Sequence, residues 1–559
     1  MSLLPPNLKD GVLTLDDMAS ALKRRLYVPE WTLAKYKLSS GWAAFYEILP
    51  IKGIYPSVIN IYGDQILALP KDSLPASYNP DINIHYQAYD GYSAYLQPSS
   101  LNLRGNDTLR LNNFSLECNN YYNYQSSCQL INEAGITANN VFLGIYLDRY
   151  CYNYDSYYNE TQAWYFLSFP FDVRISDIRT SCQWVIRRYD GAARADFDYN
   201  NTWKNMSYDG VLQAGEGYIL ACTGGTFKFT AMDNVNKNNI FANDTVYVHL
   251  KEYISDIAAD NSWNLVGNPF PCHYDTRKMD YTAPITVWNV DNSTYSAYSP
   301  VDDSYVLKPF EAFFVQKPAN VDSIAFDPAG RQLSSTAAAK SGVHRVMPKV
   351  YSTAARRSIV NLELSNGKYS DRTRFVINES AEMDYELNCD AAKFMSTETV
   401  IPQLYTVVGD VNFAINERPL NDGIVKLGTH FGEAGKYTIS MQNSCEMSVV
   451  LVDLKTGVET DMNNDCYTFD AEVEDCERFI VKLYDNNATG VRDVVTEAQV
   501  VATENGIAVT ASENVDIKVY NVAGRLIDER CACSETFIVA PGVYVVTVNG
   551  ITHKVVVSK

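Results

Sequence analysis

The chain has 559 residues, with 46 Lys or Arg against 66 Asp or Glu and a formal charge of −20; at roughly 150 residues per domain, this length predicts about four domains. With 46% hydrophobic residues it can bury several cores, which excludes a disordered polyanion. A pI of 4.8 excludes the broad basic face that nucleic acids require, and no run approaches the roughly 18 apolar residues of a membrane-spanning helix.

Aromatic usage is skewed toward 40 Tyr, against 22 Phe and 7 Trp, and Tyr suits the half-buried face of a sheet. The predicted class is mainly β: tandem antiparallel β-sandwich (immunoglobulin-like) domains, with a short helix near the N-terminus. That helix is expected over residues 15–26, where Met18, Ala21, Leu22 and Leu26 share one face and Thr14 and Asp17 stand at capping-box spacing. The rest of residues 1–158 reads as a mostly β region, the end of a larger domain. Alternation at Leu109/Leu111 and Phe114/Leu116, between Asn, Asp and Gly turns, predicts antiparallel strands.

Residues 159–328 form a duplicated all-β module, with units at about 159–255 and 256–328. Trp164, Pro170 and Phe171 match Trp263, Pro269 and Phe270, and Leu212 and Glu216 match Leu307 and Glu311. Two matches at a nearly constant offset predict a repeat. The small and polar stretch 329–357 reads as a linker. A further β-sandwich is expected over 358–484, where short apolar runs alternate with turns such as Asn366-Gly367 and Thr456-Gly457. A last compact module occupies 490–559.

Few residues carry a signature of chemistry. The six His form no zinc-binding spacing, and no nucleophile elbow, Walker loop or dinucleotide loop occurs. Cys272 and His273 are adjacent, and on a strand their side chains point to opposite faces, which argues against a thiol–imidazole pair. Glu216 and Glu311 are a repeat-matched carboxylate pair of the kind glycoside hydrolysis uses, although a shared structural role, such as satisfying a turn amide, is the stronger reading. No cofactor or metal is called for. The one cation considered is a structural calcium at Asp196, Asp198 and Asn200, where Asn201 and Ser207 replace the Gly and Glu that an EF-hand loop needs. The 12 Cys are even in number, and Cys118/Cys128 and Cys466/Cys476 are the expected local disulfides in an oxidising compartment. Cys531 and Cys533 have the spacing of a metal or redox pair, for which unpaired turn cysteines are the plainer explanation.

The C-terminal residues resemble the sorting domain of type IX secretion cargo in Bacteroidetes. The resemblance rests on Val519, Tyr520 and Gly524, then Pro541, Gly542 and Tyr544, then the closing strand from Lys554 to Lys559. It implies that these residues are a sorting signal, with the type IX machinery as partner and the outer-membrane surface or the extracellular space as destination. It also implies a signal peptide, none of which is legible before residue 30; the expectation is therefore that Met1 is an internal or trimmed start. Residues 358–484 look like the β-sandwich that often precedes such domains, through Tyr437, Asp453, Tyr467, Phe469, Arg478 and Phe479.

The most suggestive binding surface is the cluster Tyr121, Tyr122, Tyr124, Tyr150, Tyr152, Tyr154, Tyr157 and Tyr158, interleaved with Asn and Asp. Aromatic faces beside amides and carboxylates stack on sugar rings and bind hydroxyls, whereas the plain alternative is strand Tyr half-covering a sheet. The leading expectation is a secreted, surface-attached protein that binds or adheres to a glycan or protein and does no chemistry. The alternatives are the non-catalytic tail of a secreted peptidase or polysaccharide-degrading enzyme, and a structural surface spacer.

Overall fold

The computed structural model describes residues 25–38, 42, 45, 47–53, 55, 57–62, 64–68, 77–85, 100–104, 110–118, 129–133, 136–147, 164–232, 239–289, 294–333, 357–396, 398–443, 445–484, 499–503, 506–522, 524–548 and 551–557. Among these the chain is mainly β, with two short α-helices, α1 (Leu33–Leu38) and α2 (Gly191–Ala195). It divides into two compact units, Met1–Leu483 and Tyr484–Lys559. The expected helix over 15–26 lies outside the described residues up to 24. Its end is a strand instead: Leu26 belongs to β1 (Arg25–Pro29), which pairs in parallel with β2 (Glu47–Ile51) and turns Val28 into the interior.

Seven strands follow: β3 (Val58–Tyr62), β4 (Asp64–Ala68), β5 (Asp81–His85), β6 (Ser100–Arg104), β7 (Arg110–Cys118), β8 (Gln129–Asn132) and β9 (Thr137–Leu147). They run parallel, not antiparallel as the alternation suggested. β3, β5, β7 and β9 make one sheet and β4, β6 and β8 another, so successive strands alternate between two sheets as the chain coils. The physical reason is stacking of like on like. Ile59, Ile82, Phe114 and Val141 lie in register, as do Ile61, Ile84, Leu116 and Leu143, all buried. Asn60 accepts from Asn83 at 3.1 Å, and Asp81, Asn113 and Asn140 form a second polar ladder with bonds of 3.1 and 3.0 Å. Each such stack satisfies its amides only when strands run parallel and in register.

The duplicated module begins within this coil. Its first copy contains β10 (Tyr165–Ser168), β11 (Val173–Arg174), β12 (Trp184–Tyr189), β13 (Trp203–Asn205), β14 (Val211–Leu212), β15 (Gly217–Cys222) and β16 (Gly225–Thr230). The second contains β17 (Val246–His249), β18 (Trp263–Gly267), β19 (His273–Asp275), β20 (Met279–Asp280), β21 (Ile285–Asn289), β22 (Thr294–Tyr298), β23 (Val306–Leu307), β24 (Ala312–Gln316), β25 (Ser323–Phe326) and β26 (Arg331–Gln332). The sheet orders β10-β15-β12-β13 and β18-β24-β21-β22 are the same, as are the small pairs β11-β14 and β19-β23. β16 pairs with β9 as β25 pairs with β17. Thus the last strand of the coil serves as the first strand of copy one, and β17 opens copy two ahead of the expected boundary at 256. Neither strand carries the Trp-Pro-Phe signature, which is why the boundaries read late in the sequence. Ordered pairing also continues through β26, inside the expected linker; residues 334–356 lie outside the described set.

The two copies pack reciprocally. Leu167 bridges Glu311 and Glu216 bridges Val266, with Ser168 N–H donating to Phe310 O and Gly267 N–H to Gly215 O, both at 2.9 Å. This is the self-complementary pattern of a two-fold contact, here within one chain. A Cβ on Gly267 would overlap the Ser168 side chain, and one on Gly217 would lie 2.5 Å from Leu265 Cγ. The repeat-equivalent residues Gly215 (φ 78°) and Phe310 (φ 63°) both adopt the left-handed conformation. Phe310 bears that strain, of about 1–3 kcal/mol, and its ring is fully buried.

The sandwich comprises β27 (Ser358–Ser365), β28 (Ser370–Ile377), β29 (Ala391–Ala392), β30 (Gln403–Val408), β31 (Val411–Arg418), β32 (Ile424–Phe431), β33 (Gly435–Met441), β34 (Ser448–Asp453), β35 (Glu459–Asp461), β36 (Tyr467–Ala471) and β37 (Glu474–Tyr484). One eleven-stranded sheet curls around a single core. Phe469 of β36 and Phe479 of β37 meet at 4.9 Å although many strands separate them along the sheet. Beside them the buried Arg478 guanidinium makes paired bonds of 2.8 and 2.6 Å to Asp453, which also accepts from Tyr467 Oη at 2.7 Å. Burial opposes the Asp453 charge, and these donors outweigh it, holding the carboxyl below its usual range.

The second unit contains β38 (Gln499–Thr503), β39 (Gly506–Asn521), β40 (Leu526–Ile538), β41 (Gly542–Val548) and β42 (Ile551–Val557). The order is β38-β39-β41-β42, with β40 along the other edge of β39. Its own core includes Ile507, Val515, Ile517, Val519, Phe537, Val546 and Val555.

Candidate functional site

The eight Tyr of the expected binding cluster, and Cys118, Cys128 and Cys151 as side chains, lie outside the described residues. The other nine cysteines are free thiols, so Cys466 and Cys476 form no disulfide. Cys476 instead lies 3.3 Å from Thr429 Oγ1, on a strand whose register with β32 directs it there. Cys272 is buried with its thiol pushed up to about 12 by desolvation. The His273 ring is held by Gln129 Oε1 at 2.7 Å and pushed down to about 4 by burial, then by Lys308. The two side chains serve different neighbours.

Glu311 Oε2 accepts the Lys308 amide at 2.7 Å and Oε1 accepts Tyr305 Oη at 2.9 Å. In the first copy Tyr218 Oη takes the equivalent Gln213 amide at 2.7 Å and itself donates to Glu216 at 3.1 Å. Both carboxylates therefore anchor the turn before the pairing strand, the structural role weighed against catalysis. Asp198 is bonded to Asn201 at 2.8 Å, and Asp196 is exposed. Among the described residues, no three His, Cys, Asp or Glu side chains gather as a metal set.

The residues implied by the sorting resemblance fall on fold positions of the second unit. Val519 is buried, Tyr520 is half-buried on β39, Gly524 closes the turn by donating to Asn521 O at 2.9 Å, and Lys554 is exposed opposite Val545. Pro541 and Gly542 lead into β41, where Tyr544 Oη donates back to Ala540 O at 2.8 Å. Lys559 lies outside the described residues.

Sequence reasoning missed a polar cleft between the second copy and the sandwich, of about 180 Å³. Ser299, Val301 and Asp302 line it from one side, and Arg357, Asn378, Cys389 and Glu417 from the other. Arg357 donates to Asp302 at 2.8 and 3.0 Å and to Glu417 at 3.0 and 2.6 Å. Asn378 donates to Glu417 at 2.6 Å. Burial opposes the guanidinium charge, but its bonds to the two carboxylates outweigh that and keep it charged. Behind this cluster, Asp390 accepts the backbone N–H of Glu386 at 2.8 Å and of Glu417 at 2.7 Å. Desolvation, assisted by Glu386 and Glu417, still pushes its carboxyl up to about 8. Burial and the surrounding carboxylates likewise raise the Cys389 thiol, so it stays protonated and is a poor nucleophile.

Chemically, this arrangement holds rather than reacts. Both carboxylates facing the cleft are committed to Arg357, and the space is below the roughly 300–1,000 Å³ of ordinary ligand pockets. Around it Arg374 reaches Asp303 at 2.5 Å, Arg372 lies 4.0 Å over the Tyr298 ring and bonds Ala297 O, and Tyr385 Oη donates to Gln316 at 2.6 Å. The cleft is the centre of a polar joint. No local sequence signal announces it, because its charged partners lie 55 and 60 residues apart.

Residues 272–483, which run from β19 through the sandwich and include both walls of the cleft, match a family described as a domain of unknown function, DUF8693. No curated protein matches the chain.

Proposed function

We propose that this is a secreted, surface-attached, non-catalytic protein that binds or adheres to a glycan or protein ligand and is exported by the type IX machinery through its C-terminal unit. The observation that supports the reading is how the modules of the first unit are joined. The coil shares β9 with the first copy, the copies bridge reciprocally, and the second copy is tied to the sandwich by Arg357, Arg372 and Arg374. Ionisable groups buried at these joints hold modules together, which suits a stiff carrier of a binding surface. The Tyr-rich segments at 121–124 and 150–158 are the proposed contact surface.

The test is binding of the full chain, and of a variant with Tyr150, Tyr152 and Tyr154 changed to Ala, to arrays of polysaccharides and matrix proteins. Binding by the parent that the variant loses supports the proposal. No binding by either protein favours the spacer reading, which the tied joints also suit. A hydrolytic activity abolished by one point mutation overturns the non-catalytic reading.

A further inference from the structure

In β40 two thiols stand where a second copy of this chain can reach them. Among the described residues β40 pairs only with β39, leaving its other edge open, and exposure alternates as Cys531 exposed, Ala532 half-buried, Cys533 exposed. Cys531, opposite Asp516 between the core residues Val515 and Ile517, projects away from the core, and both cysteines are free and exposed. They cannot close on each other while the strand stays extended. Residues two apart on a strand are roughly 6.6–6.8 Å apart with parallel Cβ directions, and a disulfide requires Cβ atoms at roughly 3.5–4.5 Å.

Directly opposed residues of an antiparallel pair are closer, with Cα atoms at roughly 4.5–5.5 Å. We propose that two copies of the chain pair edge to edge along β40, antiparallel about a two-fold axis at Ala532, and are locked by two disulfides between Cys531 of each copy and Cys533 of the other. Centring on Ala532 is the one register that opposes both cysteines to a cysteine, and it satisfies the isologous rule that each pair occurs twice. Covering the edge removes a long open ladder of the kind that otherwise invites aggregation. In the oxidation, four thiols lose four protons and four electrons and form two S–S bonds. Two equivalents of a small-molecule disulfide are the oxidant, each reduced to two thiols. This inference is independent of the ligand reading.

The experiment oxidises the purified full chain with glutathione disulfide and follows it by non-reducing electrophoresis and peptide mass mapping. The expected product is a covalent dimer of twice 62.7 kDa, reversed by dithiothreitol, whose Cys531/Cys533 peptide appears as a doubly linked pair. Cys531→Ser alone and Cys533→Ser alone should each lose the dimer, while a mixture of the two variants should regain it through one cross-link. Both positions are exposed, so unchanged circular dichroism is expected for each variant. A dimer that persists in either single variant overturns the proposal, as does a dimer linked through Cys466. A chain that stays monomeric after oxidation, or one with an intrachain Cys531–Cys533 bond, also overturns it.

Discussion

Asp390 shows how a single carboxyl group takes its behaviour from its surroundings. In the unfolded chain it titrates near 4; in the joint, burial beside Glu386 and Glu417 outweighs two amide donors and raises it to about 8. A raised folded value means that the unfolded state holds the negative charge more readily. The contribution of Asp390 to stability is therefore fully present below pH 4, shrinks as pH rises, and levels off above about pH 8. Asp390→Asn should flatten this part of the profile. It also removes one acceptor for the Glu386 or Glu417 amide, at about 1 kcal/mol. Thermal melts of parent and variant from pH 5 to 9 check it: the gap between them should shift in favour of the variant as pH rises, and parallel curves would disprove the assignment. Nothing in the local sequence Asn388-Cys389-Asp390 marks this carboxyl as unusual, because its burial is set by the fold and Glu417 arrives from a strand 27 residues away.

At the scale of elements, the contact between the two copies depends on small residues at equivalent positions. Ser168 and Gly267 occupy the same place in each copy and face each other across the pseudo-two-fold contact. Gly267→Ala puts a methyl group into the Ser168 side chain and should destabilise the first unit by about 1–3 kcal/mol. Adding Ser168→Gly removes the closest overlap and a buried hydroxyl that has no hydrogen-bond partner, while the Glu311 carbonyl 2.9 Å from the new Cβ stays, so the double variant should recover part of the loss. Urea midpoints for the four proteins of this cycle are the measurement, and additive effects would mean that the two residues do not share the contact. The repeat was legible because Trp164/Trp263, Pro170/Pro269 and Glu216/Glu311 keep nearly the same offset along the chain. Its true ends were not, because β9 and β17 are recognised by what they pair with and carry no shared residue pattern.

Over the whole molecule, the contacts separate Met1–Leu483 from Tyr484–Lys559, each with its own apolar core. Calorimetry of the full chain should therefore show at least two transitions, and removal of residues 484–559 should delete one and leave the remaining melting temperature unchanged. A single transition that shifts on truncation would show that the units fold together. What the sequence by itself determined is the mainly β class and the repeated pattern that the two matching sheet orders share: alternation, turn residues and repeated motifs are properties of neighbours along the chain, and a single chain displays them. Strand direction in the coil was decided only by the tertiary structure, since apolar alternation has period two whether strands run parallel or antiparallel. The same holds for the Arg357 joint and the Arg478–Asp453 pair, whose partners lie 25 to 60 residues apart. Their chemistry comes from burial and from what folding sets beside them, and both are absent until the chain has closed on itself.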